Sequence, residues 1–72
     1  MKKVTAFGKL VRTHRMDRGA LLIDMADHLG VSPSFVSSVE FGRKPVPPDW
    51  PVRIAKFYEL SAVQLRALEK AA

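Results

Sequence analysis

The chain has 72 residues, and its 12 Lys and Arg against 7 Asp and Glu give a formal net charge of +5 and a pI near 10.1. The absence of cysteine excludes disulfides and thiolate metal sites, and the longest apolar run, Ala20 to Ile23, is far shorter than the roughly 20 residues of a membrane span. We therefore expect one domain over residues 1–72, cytoplasmic because no apolar segment follows Lys2 and Lys3, with a polyanion as its partner.

The first predicted helix runs from about Thr5 to Asp17, with the Thr5 hydroxyl as its N-cap. Four residues at i, i+3, i+4 and i+7 share one face of this helix: Phe7, Leu10, Val11 and His14. Gly8 lies inside the helix and weakens it by about 1 kcal/mol relative to Ala. A glycine at this position would allow another helix to approach closely.

The next two predicted helices are short and separated by Gly30. The second helix covers Leu22 to Leu29, and four residues form its inner face: Leu22, Met25, Ala26 and Leu29. The third opens at Ser32, because a hydroxyl at the N-cap followed by Pro33 is a strong start signal. Two valines three residues apart supply its buried side: Val36 and Val39.

Three prolines then indicate an extended connector: Pro45, Pro47 and Pro48. Asp49 is the predicted N-cap of a fourth helix, whose first turn holds Trp50 as a core aromatic residue. Three residues of that helix are predicted to face inward: Ile54, Ala55 and Tyr58. Ser61 and Gln64 form a capping box for a fifth helix, whose leucines, Leu65 and Leu68, either close the core or form a dimer contact. The sequence thus predicts an all-α, compact five-helix bundle.

The spacing between Leu22 and Phe41 predicts a helix-turn-helix. This motif needs a small residue where its two helices cross, a glycine in the turn and apolar anchors on the second helix. Ala26 is the small residue, Gly30 follows four positions later, and Val36 and Val39 are the anchors. The outer face of the third helix is then free to enter the major groove of duplex DNA, which admits an α-helix.

Residues Phe7 to Leu60 resemble the lambda-repressor/Cro (Xre) family of helix-turn-helix regulators. Three segments carry the resemblance: Phe7-Gly8-Lys9-Leu10-Val11-Arg12, Leu29-Gly30-Val31-Ser32-Pro33-Ser34-Phe35-Val36-Ser37, and Val39-Glu40-Phe41-Gly42-Arg43-Lys44-Pro45. The resemblance implies a five-helix fold whose third helix reads DNA, commonly in a homodimer.

The same resemblance assigns roles to individual residues. Arg15 matches a first-helix arginine that bonds the glutamate ending the recognition helix, here Glu40. Arg43 and Lys44 fall in the loop that lies along the phosphate backbone. Six residues form the predicted recognition face: Ser32, Pro33, Ser34, Phe35, Ser37 and Ser38.

The predicted recognition face lacks the side chains that discriminate bases strongly. It has no Arg for guanine and no Asn or Gln for adenine, and a serine hydroxyl can bond almost any base edge. We expect DNA shape and deformability to contribute to specificity, with Pro33 or Phe35 touching a thymine methyl. Members of the family often begin the second helix with a Thr-Gln pair whose polar groups contact phosphate. Leu21 and Leu22 stand in its place, and their side chains cannot make that contact.

No catalytic, metal or cofactor pattern is evident, and no small-molecule ligand is indicated. His14 and His28 lack the spacing of zinc ligands, and no phosphate-binding glycine motif occurs. Other cations are weaker candidates for phosphate contact: Lys9, Arg12, Arg18, Arg53 and Lys56.

We therefore predict a sequence-specific regulator of double-stranded DNA that is not an enzyme, a repressor of its own promoter acting as a homodimer on an inverted repeat. Two alternatives remain open. One is a DNA-binding antitoxin with a toxin partner, or a restriction–modification controller; the other is a protein-interaction adaptor that uses the fourth and fifth helices.

Overall fold

A computed structural model describes residues 4–72, and within that range the chain forms five α-helices and no strand. The helices are α1 (Ala6–Asp17), α2 (Leu22–Leu29), α3 (Pro33–Glu40), α4 (Trp50–Phe57) and α5 (Ala62–Ala71). The predicted all-α, five-helix architecture is confirmed. The basic residues Lys2 and Lys3 lie outside the described residues.

Three of the helices begin at the hydroxyl caps that the sequence predicts. The Thr5 hydroxyl accepts from the Gly8 N–H at 3.0 Å, and the Ser32 hydroxyl accepts from the Phe35 N–H at 3.1 Å. At α5, the Gln64 N–H donates to the Ser61 hydroxyl at 3.2 Å. The capping box is completed by the Ser61 N–H, which donates to the Gln64 side-chain oxygen at 2.9 Å. These bonds satisfy backbone donors that a helix leaves unpaired at its start.

The fourth helix begins at its predicted N-cap residue, but without a side-chain cap. Asp49 occupies the N-cap position, but its backbone is in the right-handed helical region (φ −87°, ψ −8°) and its carboxylate caps no backbone N–H. An N-cap side chain reaches the next turn from an extended backbone, which Asp49 does not have. Its carboxylate instead accepts from Arg53 at 3.4 Å, one turn along the helix.

Two glycines allow the helices to approach and turn as they do. Gly30 ends α2 in the left-handed conformation, at φ 72°, and the next N–H donates to the Ala26 carbonyl. Gly8 faces the end of α3, where a Cβ would overlap the Glu40 carbonyl oxygen and lie 2.7 Å from the Val4 side chain. The close approach that Gly8 predicts is therefore present between α1 and α3.

One apolar cluster holds the five helices together. It comprises Phe7, Val11, Met25, Ala26, Leu29, Val36, Val39, Trp50, Ile54, Tyr58 and Leu68. Trp50 is buried in this cluster, and the half-buried Phe35 ring meets it edge to face, with ring centroids 5.8 Å apart. Leu68 lies in the core and Leu65 is half buried at its edge. Within the bundle, α3 packs against α1 and α2, which leaves its remaining side facing solvent.

Candidate nucleic-acid interface

An ion pair fixes the carboxyl end of α3 against α1. Arg15 Nη1 lies 2.6 Å from Glu40 Oε2, and Nη2 lies 3.4 Å from Oε1, so the guanidinium and carboxylate meet as a two-pronged fork. Their side chains are only 11% and 4% exposed. Because each charge is nearly removed from water, loss of either partner would leave the other buried and unpaired.

A second anchor at the same end of α3 comes from Thr5. Its backbone N–H and its hydroxyl both donate to the Glu40 carbonyl oxygen at 3.0 Å. Thr5 thus caps α1 and also satisfies a terminal carbonyl of α3. The capping of α1 by Thr5 could be predicted from the sequence, because a hydroxyl is a common N-cap. The bond to Glu40 joins residues 35 positions apart, and no local pattern reveals it.

The solvent side of α3 presents four neighbouring residues. Successive residues of a helix turn by about 100°, and this rotation places Pro33, Ser34, Ser37 and Ser38 on one half of α3. Pro33 and Ser34 are exposed, Ser37 and Ser38 are partly exposed, and no serine side chain in this group forms a hydrogen bond to the described residues. We call these four residues the serine face.

The other two residues of the predicted recognition surface have additional structural roles. Ser32 uses its hydroxyl as the cap of α3, although it remains exposed. The Phe35 ring lies on the core side, against Trp50. Phe35 therefore helps to hold α3 in place, and the serine face carries the side chains that are free to meet a ligand.

The loop after α3 presents two exposed cations at the edge of the serine face. The backbone N–H groups of Arg43 and Lys44 both donate to the Ser38 carbonyl, at 2.8 and 3.3 Å, so the loop is fastened to the end of the helix. The Arg43 guanidinium lies 5.9 Å from the centre of the Phe41 ring. Both side chains are exposed, and each can reach a phosphate without the desolvation that a buried cation would require.

Two of the five weaker candidates for phosphate contact, Arg53 and Arg18, contact other residues of the bundle. Arg53 donates to the His28 carbonyl at 2.8 Å, which ties α4 to the end of α2 and gives this cation a structural partner. Arg18 lies over the Tyr58 ring, 5.6 Å from its centre. Three others are exposed: Lys9, Arg12 and Lys56.

Two buried polar groups in the bundle have shifted pKa values. Burial, and secondly the charge of Arg18, lower the pKa of His14 below its ordinary value of 6.5. Burial is also the main reason that the pKa of Tyr58 is raised above 10.0. His14 lies on the inner side of α1, as its position in the sequence predicts.

Within residues 4–72, no three His, Asp or Glu side chains are grouped so that they could hold a metal ion. The same part of the chain contains no helix with the length and apolar character needed to cross a bilayer.

The anchored α3, its packing against α2 and the turn at Gly30 that joins the two helices together define an all-α helix-turn-helix protein. Comparison with known families agrees, since residues 6–68 match the helix-turn-helix domain family, and the chain belongs to that family. Membership indicates DNA binding and, through it, a role in transcription regulation. No match was found among curated proteins or among solved structures.

Proposed function

We propose that this protein is a sequence-specific repressor of the lambda-repressor/Cro (Xre) type that binds double-stranded DNA as a homodimer in the cytoplasm and controls its own promoter. The observation that carries the proposal is the serine face of α3, left open by the packing of α1 and α2 and bordered by Arg43 and Lys44. No catalytic role is part of the proposal.

The division of labour between these residues follows their chemistry. The serine face enters the major groove and meets base edges, because its short side chains let the helix lie deep. Arg43 and Lys44 contact phosphates and set the orientation of the helix, without reading sequence. Since each hydroxyl discriminates weakly, bending and groove shape of the operator supply part of the specificity.

The size of the protein supports a dimer on an inverted repeat. Its extents are 32 × 23 × 21 Å, and half-sites one helical turn apart are separated by about 34–36 Å. Two protomers side by side on one face of the duplex therefore fit that spacing. The chain's net charge of +5 favours the same partner.

The proposal is tested by measuring binding to the DNA upstream of the protein's own gene across a salt series. Contact with about six phosphates gives a log–log slope near −5. We expect such a slope and a clear preference over random DNA of equal length. A flat response without that preference would overturn the proposal and favour the interaction adaptor.

A matched pair of double variants locates the contact. Replacing Arg43 and Lys44 by Ala should reduce the slope by about 2, because each phosphate contact contributes about 0.9. The control replaces Arg66 and Lys70, two exposed cations of α5, by Ala. It removes the same charge from a helix that packs on α1 and α4. Equal losses in the two variants would mean that net charge, and not the loop after α3, attracts DNA.

A further inference from the structure

A groove of about 330 Å³ runs along the solvent side of α1. It is lined by five residues, which we call the basic groove: Val4, Lys9, Arg12, Thr13 and Met16. The last four are spaced at i, i+3, i+4 and i+7, so they share one face of the helix, and all four are exposed. Two of the five residues are cations and none is acidic. None of them belongs to the serine face or to the loop after α3.

The side chains of the basic groove have no partners of their own. Neither Lys9 nor Arg12 forms an ion pair with a carboxylate of residues 4–72. Met16, beside them, is 75% exposed, the largest fraction among the large apolar side chains that the structure describes. Exposed apolar side chains that lie together with charges of one sign mark a surface for a partner. The partner that fits this groove is apolar and acidic at once.

The chain presents such a surface itself, at the start and on the solvent side of α2. Four exposed residues form it, and we call them the acidic face: Leu21, Ile23, Asp24 and Asp27. Its two apolar side chains are 64% and 52% exposed. The Asp24 carboxylate accepts the Leu21 N–H at 3.2 Å, whereas the Asp27 carboxylate has no partner among the described residues. Arg18 borders both carboxylates, but it lies over the Tyr58 ring and forms an ion pair with neither.

The basic groove and the acidic face match in spacing as well as in sign. The two cations are three residues apart on α1, and the two aspartates are three residues apart on α2, so the Cβ atoms of each pair are about 5–6 Å apart. Both surfaces face solvent in the same molecule, so a second copy is needed to join them. An antiparallel arrangement of α1 and the second copy's α2 brings together three pairs: Lys9 with Asp27, Arg12 with Asp24, and Met16 with Leu21.

We propose that the basic groove binds the acidic face of a second copy of this chain, with the two helices antiparallel. The contact is heterologous, because two different surfaces meet, and each copy keeps one groove and one acidic face for further copies. It therefore differs from the homodimer of the proposed function, in which the same patch of both copies meets itself. Only a few residues on each side take part, so the contact is weak and transient.

The experiment is a self-titration at low ionic strength and without DNA. Isotope-labelled protein is mixed with increasing amounts of unlabelled protein, and the amide chemical shifts are followed by NMR. We expect changes on both surfaces together, from Lys9 to Met16 and from Leu21 to Asp27, and their decline when added salt screens the charges. No dependence on protein concentration, or changes on only one of the two surfaces, would overturn the proposal. Because no DNA is present, a failure of the proposed function leaves this result unchanged.

Charge reversal tests the pairing of the two surfaces. Lys9→Glu alone and Asp27→Lys alone should each largely remove the concentration-dependent shifts, because like charges then face each other. The double variant with both reversals should regain them, since each new charge meets its opposite on the next copy. Lys70→Glu and Glu69→Lys, at exposed positions of α5, are the matched controls and should associate as the parent does. Equal losses in the controls, or no recovery in the double variant, would refute the pairing.

Discussion

Removing Glu40 breaks its buried ion pair with Arg15, and this loss should destabilise the fold more than the removal of an exposed charge. Glu40→Ala removes a carboxylate that is 4% exposed and leaves the Arg15 guanidinium, 11% exposed, without its partner. Breaking a buried pair in this way typically costs about 3–5 kcal/mol. The backbone carbonyl that Thr5 binds is unaffected by the substitution, so the change isolates the ion pair.

That loss is large for a domain of this size. At roughly 0.05–0.15 kcal/mol per residue, 72 residues give a free energy of unfolding of about 4–11 kcal/mol. Since 1 kcal/mol corresponds to about 4–8 °C in Tm for small domains, Glu40→Ala should lower Tm by at least about 12 °C. Urea unfolding followed by far-UV circular dichroism gives the free energy directly.

Glu69→Ala is the matched control, because Glu69 is exposed and pairs with no described residue. Its free energy of unfolding should stay within about 0.5 kcal/mol of the parent. The double variant of Arg15 and Glu40 should lose less stability than the sum of the two single variants. If Glu40→Ala and Glu69→Ala unfold at the same urea concentration, the reasoning from burial is wrong.

Three further perturbations test separate contacts. Gly8→Ala should lower the free energy of unfolding by about 1–3 kcal/mol, because the new Cβ overlaps the end of α3. This strain exceeds the gain of about 1 kcal/mol in helix propensity. A variant that is more stable in urea would contradict the close approach of α1 and α3. Burial keeps the pKa of His14 below 6.5 in the folded state, so the unfolded chain binds the proton first and stability falls as pH drops below about 6.5. His14→Gln should flatten that slope, and a pH profile of the variant parallel to that of the parent would refute the assignment. Ser32→Ala should lower the free energy of unfolding by about 1 kcal/mol, because it removes the cap of α3. Ser34→Ala should leave the stability unchanged and weaken the preference for specific DNA. A larger stability loss for Ser34→Ala than for Ser32→Ala would exclude the assigned roles.

Much of the helical fold could be predicted from local chemistry. The start of α3 follows from Ser32 and Pro33, and α2 ends where Gly30 predicts, because caps and turns depend on a few consecutive residues. The start of α2 is less evident in the sequence, since Leu21 has no polar side chain and its backbone N–H donates to the Asp24 carboxylate. Asp49 marks the start of α4 as predicted, but its carboxylate pairs with Arg53 and does not cap the helix, which the residue type alone does not reveal.

The candidate site likewise has features that local sequence patterns predict and features that they do not. Helical periodicity separates the serine face from the buried Val36 and Val39, so the open face could be predicted. The edge-to-face contact of Phe35 with Trp50 and the bond from Arg53 to α2 could not, because each joins residues that are far apart in sequence.

The serine face also has a consequence for how this protein can change. Ser34, Ser37 and Ser38 form no side-chain hydrogen bonds to the described residues, while the capping hydroxyl, the ion pair and the Phe35 ring hold the helix from its other sides. Substitutions on the open face therefore leave the supports of α3 untouched. If α3 reads DNA as proposed, a new sequence preference can arise there, one residue at a time, in a scaffold that keeps its stability throughout.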